Sequence, residues 1–173
     1  QEDKSAQFTL EGDRVVSLFV TQEAPPASVA RALRSLPSLE KVTLFWGPLT
    51  TNIADALSTL RHLKHLDCNS STIDDGAFAH LSKLRQLEVL ELHHPNRITD
   101  RAMPHLAKLT NLTTLAINTE FHPRPNNWRE LVLSEQGIAH VAALKRLTHL
   151  NLHGQNATDE NCRQLAKLPR LTN

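Results

Sequence analysis

The sequence predicts an α/β solenoid: a curved stack of short units, with parallel strands on the concave side, helices on the convex side and an N-terminal β-hairpin as a cap. Three observations predict it. A leucine triplet recurs at i, i+3, i+6; each triplet runs into a short alternating segment; and a helix-capping residue stands at the same place in five units.

The triplets are Leu33, Leu36, Leu39; Leu57, Leu60, Leu63; Leu81, Leu84, Leu87; Leu106, Leu109, Leu112; Val141, Leu144, Leu147; and Leu165, Leu168, Leu171. Their third members are separated by 24, 24, 25, 35 and 24 residues. Spacing of i, i+3 keeps side chains on one face of a helix.

The alternating segments follow. They read Val42-x-Leu44, Leu66-x-Cys68, Leu90-x-Leu92, Leu115-x-Ile117 and Leu150-x-Leu152, with an earlier copy at Val15-x-x-Leu18-x-Val20. Alternation of apolar and polar residues is the period of a strand with one buried face. Before it, "QFTLEGDRVVSLFV" reads as two strands around Glu11-Gly12-Asp13, a hairpin placed to cover the first unit's open core edge.

The junction from strand to helix repeats as well. Thr50, Asp74, Thr99, Ser134 and Thr158 stand where helices begin, each after an apolar residue (Leu49, Ile73, Ile98, Leu133, Ala157). Their side-chain oxygens can accept N–H groups of the first turn. One unit is therefore strand, turn, capped helix and return. It cannot bury its apolar face alone, whereas stacked copies can.

Motifs such as "LKHLDCNSSTIDDGAFAHLSKL" and "LEVLELHHPNRITDRAMPHLAKL" resemble the leucine-rich-repeat family over roughly residues 15 to 173. The "ITD…HLAKL" form is similar to bacterial repeats of about 24 residues, which in turn resemble the cysteine-containing repeats of F-box proteins. The resemblance implies a horseshoe with parallel strands inside. At the place where the family has Asn or Cys, three residues after the strand's last core position, this chain has Glu23, Gly47, Ser71, Pro95, Glu120 and Gln155. Such a fold serves many partners, so function has to be argued from particular side chains.

Composition narrows the function classes. The 173 residues are 40% hydrophobic and 21% charged, with a formal net charge of +1. That composition suits one folded repeat domain. The domain is expected over 1–173, with hairpin and first strand over 1–20, repeats over 21–170, an insertion near 119–132, and the start of a further repeat at 171–173. A near-zero charge, with no aromatics interleaved in the basic row Arg61, Arg85, Lys108, Lys145, Arg146, Lys167 and Arg170, argues against nucleic acid. No apolar run approaches a membrane span. A first residue other than Met points to a processed chain or a piece of a longer one, and with the bacterial resemblance to an exported protein; the sequence otherwise leaves the compartment open. Leu171-Thr172-Asn173 falls inside the next expected strand, so the expectation at that end is a further segment or an edge covered by another chain.

The two cysteines, Cys68 and Cys162, lie three units apart, about 14 Å at strand spacing. That is too far for a disulfide, and both are expected to be buried free thiols. No catalytic motif, phosphate loop or metal-ligand spacing is present, so neither an enzyme nor a cofactor is expected.

Concave positions can be read from the alternation: Lys41, Thr43, Phe45; His65, Asp67, Asn69; Val89, Glu91, His93; Thr114, Ala116, Asn118; His149, Asn151, His153. His65, Asp67, Glu91 and His93 then cluster on neighbouring strands, which raises a metal- or small-ligand-responsive alternative. The ten histidines raise a pH-dependent contact, against ordinary surface placement.

The leading reading is a protein- or peptide-binding scaffold. The turn after the fourth full repeat's strand carries eleven residues more than its five-residue counterparts, within "NTEFHPRPNNWRELV". Insertions in repeat proteins map to one face, often the binding face. The expected protein-binding residues are Phe45, Trp46, His93, His94, Phe121, Arg124, Trp128 and Arg129, all on the strand-end rim. The alternative for the loop is that Trp128 and Phe121 fold back onto the neighbouring repeat.

Overall fold

The computed structural model describes residues 5–45, 49–69, 73–93, 95, 97–118, 132–153 and 158–172. Seven strands form one sheet in chain order: β1 (Ala6–Glu11), β2 (Arg14–Thr21), β3 (Lys41–Phe45), β4 (His65–Asn69), β5 (Val89–His93), β6 (Thr114–Asn118) and β7 (His149–His153). β1 and β2 are antiparallel and every later pair is parallel. A helix follows each strand from β2 onward: α1 (Pro26–Ser35), α2 (Thr51–Leu57), α3 (Asp75–Leu81), α4 (Met103–Leu106), α5 (Glu135–Val141) and α6 (Asp159–Leu165).

The repeated leucines make a continuous core. Leu33, Leu39, Leu57, Leu60, Leu63, Leu81, Leu84, Leu87, Leu106, Leu109 and Leu112 are all essentially inaccessible, and Val141, Leu144 and Leu147 continue the stack. The pre-helix residues Leu49, Ile73, Ile98 and Leu133 are buried too. Ala157 lies outside the described residues. Burial weakens towards β7, where Leu150, Leu152, Leu165 and Leu171 are only partly covered.

All five capping residues act as expected. Thr50, Asp74, Ser134 and Thr158 accept the N–H three residues on, and Thr99 accepts that of Arg101. The fourth helix starts as a 3-10 turn over Asp100–Ala102. Pro104 explains the tighter turn, because it has no N–H to return to the Asp100 carbonyl.

Repeats are tied at fixed points. Backbone N–H groups of Glu40, Lys64, Glu88, Thr113, Thr148 and Thr172 each donate to the preceding member of the series, starting at Val16, over 2.8–2.9 Å. A second tie was not legible in the spacing. Asp75 accepts both the backbone N–H and the hydroxyl of Thr99 at 2.7 Å, and Asp100 accepts the N–H of Ser134 at 3.1 Å. The acid after one helix cap thus holds the cap residue of the next repeat. Gly137 is buried under Asp100, whose carboxylate occupies the space a Cβ at Gly137 would need.

Two expectations are corrected. The hairpin forms, with Gly12 at φ 60 in its turn, but its outer strand extends the sheet instead of covering the core. Phe8 shares the core face with Leu18 yet remains 53% exposed, and Leu10 is 60% exposed; only Ala6 packs against the core. Cys68 is buried, but Cys162 is exposed, because no repeat packs against that side of α6 among the described residues. No helix among the described residues is long and apolar enough to cross a membrane.

Candidate functional site

The face of β2 to β7 opposite the core is the open one. Register places its side chains in three rows across the strands. One runs Ser17, Lys41, His65, Val89, Thr114, His149. The middle row runs Phe19, Thr43, Asp67, Glu91, Ala116, Asn151. The third runs Thr21, Phe45, Asn69, His93, Asn118. The strand alternation that buries Leu66 and Cys68 puts His65, Asp67 and Asn69 on this side.

The face is chemically uneven along the solenoid. At β2 and β3, Phe19 and Phe45 stack with ring centroids 6.0 Å apart and planes inclined by 26°, and Phe45 is 42% exposed. At β4 and β5 the surface is ionisable. At β6 it narrows to Thr114, the small Ala116 and Asn118.

The ionisable patch pairs on the diagonal. His65 Nε2 stands 3.4 Å from Glu91 Oε2, and His93 Nε2 stands 3.9 Å from Asp67 Oδ1. Asn118 Nδ2 lies 3.4 Å from His93 Nδ1. Burial raises the Asp67 carboxyl above the usual range; His93 opposes this, Glu91 adds to it, and His65 and Lys41 oppose it. Asp67 Oδ1 is shielded from solvent and accepts no hydrogen bond from the described residues, and the same holds for the side-chain oxygens of Asn69 and Asn118. The four-residue cluster is therefore two diagonal pairs, not one convergent shell. Among the described residues no group of three or more His, Cys, Asp and Glu could hold a metal ion. Burial drives the Cys68 thiol strongly upward, which leaves it uncharged and unreactive.

Of the expected protein-binding residues, Phe45 and His93 end adjacent-but-one strands on this face. Trp46, His94, Phe121, Arg124, Trp128 and Arg129 lie outside the described residues. Phe19 was missed as a partner of Phe45, although its place in "SLFV", between two core positions, already put it on the concave side.

No protein-family model matches the chain, and no curated protein matches it. Solved structures do. An internalin (inlF) from Listeria monocytogenes str. 4b F2365 superposes with a TM-score of 0.54 at 21% identity, over 81% of this chain and 42% of that one. The LRR ectodomain of the Arabidopsis receptor kinase HAESA, solved with an N-terminally extended IDA peptide hormone, gives a TM-score of 0.49 at 20% identity, over 95% of this chain and 30% of that one. This chain spans less than half the length of either. The internalin likeness, the parallel sheet and the repeated core define the class of fold: an α/β leucine-rich-repeat solenoid.

Proposed function

We propose that this chain is a non-enzymatic interaction scaffold that binds a protein or peptide on its concave sheet face and the adjoining rim. The observation that carries the reading is the open face of β2 to β7. It sets the Phe19–Phe45 aromatic pair, with Phe45 42% exposed, beside a half-buried polar patch in which, among the described residues, Asp67 Oδ1 and the side-chain oxygens of Asn69 and Asn118 accept no hydrogen bond. Aromatic anchors next to polar groups that gain partners on association are features of recognition surfaces. The rim residues Phe45, Trp46, His93, His94, Phe121, Arg124, Trp128 and Arg129 belong to the same proposal, since the strand ends lead into the turns that carry them. The 24-residue spacing supports placing the repeats with the bacterial type they resemble.

The test is to select binders from a random peptide library and titrate a selected peptide into isotope-labelled protein. Shifts of backbone amides in β3, β4 and β5 are expected. Shifts confined to the helices would overturn the reading.

A further inference from the structure

Among the described residues, the concave face carries a charge imbalance. Asp67 and Glu91 are directly opposite each other in the register of β4 and β5. Like charges facing across two strands repel. The described charged and titratable side chains on this face are Lys41 on β3, His65 and Asp67 on β4, Glu91 and His93 on β5, and His149 on β7; β2 and β6 contribute none. With the imidazoles neutral, one lysine faces two carboxylates. Lys41 is in the same row as His65, one strand further from the gap between the acids. Asp67 Oδ1, shielded and without a donor, is on the side of that gap that carries His93.

The aromatic step sits at a fixed distance from this gap. Phe19 and Phe45 span β2 and β3; Asp67 and Glu91 span β4 and β5. Two strand spacings separate the pairs, about 10 Å. An extended chain advances about 3.3 Å per residue, so about three residues cover the distance.

We propose that the concave face takes an extended basic peptide, with an aromatic or aliphatic side chain against Phe19 and Phe45 and, about three residues along, a lysine or arginine between Asp67 and Glu91. This rests on the scaffold reading above and adds the partner's chemistry. Charge complementarity chooses this occupant over an acidic peptide or a nucleic acid, both of which the two carboxylates repel.

His65 and His93 point their Nε2 atoms at Glu91 and Asp67, so a cation arriving from a partner shares these carboxylates with two imidazoles of the chain itself.

The experiment uses the same random library, panned against the chain at about pH 7.5. Selected peptides are expected to carry Lys or Arg about three residues from an aromatic or aliphatic residue. Replacing that Lys or Arg by Glu in the synthetic peptide should weaken binding about tenfold or more, as should the double variant Asp67→Asn/Glu91→Gln, whose fold is checked by its melting curve. Glu91→Lys should turn the selection towards acidic peptides. Peptides that shift β3 to β5 amides without basic enrichment, or that bind the double variant equally well, overturn this inference and leave the scaffold reading standing. Peptides that map to the helices, or no selected peptide at all, overturn both the inference and the reading on which it rests.

Discussion

The two faces of one sheet obey opposite rules. On the core side each strand presents the same kind of residue: Val42 and Leu44, Leu66 and Cys68, Leu90 and Leu92, Leu115 and Ile117, all sealed from solvent. On the concave side the aligned residues change at every step: Phe19, Thr43, Asp67, Glu91, Ala116, Asn151. A core residue must fit the repeats on both sides of it, so stacking makes it repeat. A concave residue faces solvent or a partner, and nothing in the stack constrains its chemistry. The place to look for function in a solenoid is therefore where the repetition stops.

The comparison breaks most readily at the core. Leu84→Ala and Leu109→Ala each remove a side chain at most 1% exposed. Each should cost about 2–5 kcal/mol, as deletions in packed cores do. Neighbouring repeats share this core, so denaturant unfolding should stay largely cooperative. A loss below about 1 kcal/mol at both sites would contradict the packing described.

The rim tests the other side of the comparison. Trp128→Ala or Arg124→Ala should weaken a selected peptide or protein partner by about 1–3 kcal/mol, with little change in melting temperature. If the enlarged turn only packs onto the solenoid, Trp128→Ala gives the opposite pattern: a lower melting temperature with binding intact. Measuring both quantities on one variant separates the two.

The junctions between repeats lie between these extremes. Asp100→Ala removes the acceptor for Ser134 N–H and should cost about 1–2 kcal/mol. Gly137→Ala should also destabilise, although alanine is the better helix former, because its methyl displaces the Asp100 carboxylate. In an Asp100→Ala background most of that penalty should vanish. Equal penalties in the two backgrounds would show that Leu133, the other close neighbour, sets the cost instead.

What the sequence made legible follows the same division. Leucine triplets, strand alternation and capping oxygens recur, so period and type placed the core, the strands and the helix starts. The Asp75 and Asp100 ties went unread although a signal was present: an acid directly follows the cap at Asp75, Asp100, Glu135 and Asp159. Cys162 was misplaced because burial of a helix face depends on the next repeat, which periodicity alone assumes. The diagonal pairing of His65 with Glu91 and His93 with Asp67 depends on side-chain reach across the register, which spacing along one strand does not contain.

The smallest effect expected is also the sharpest contrast between the faces, because neighbouring residues of β4 should respond with opposite signs. Leu66 is fully buried in the core, and its truncation destabilises. Asp67 is held above the ordinary carboxylate range, chiefly by burial, with Glu91 adding to the shift and His93 opposing it. An acid with a raised folded-state pKa binds its proton more tightly when folded. Its ionised form therefore opposes folding, and that penalty develops as pH rises from the ordinary carboxylate range through the raised folded value. Asp67→Asn keeps the shape and removes the charge. It should melt slightly above the parent chain at neutral pH, and the difference should close as pH falls below the ordinary carboxylate range. Thermal melts of both proteins across that range are the measurement. A variant that melts lower at neutral pH would mean that attraction to His93, His65 and Lys41 outweighs burial. Asp67 would then be a structural residue of the sheet, not a group held in reserve for a partner.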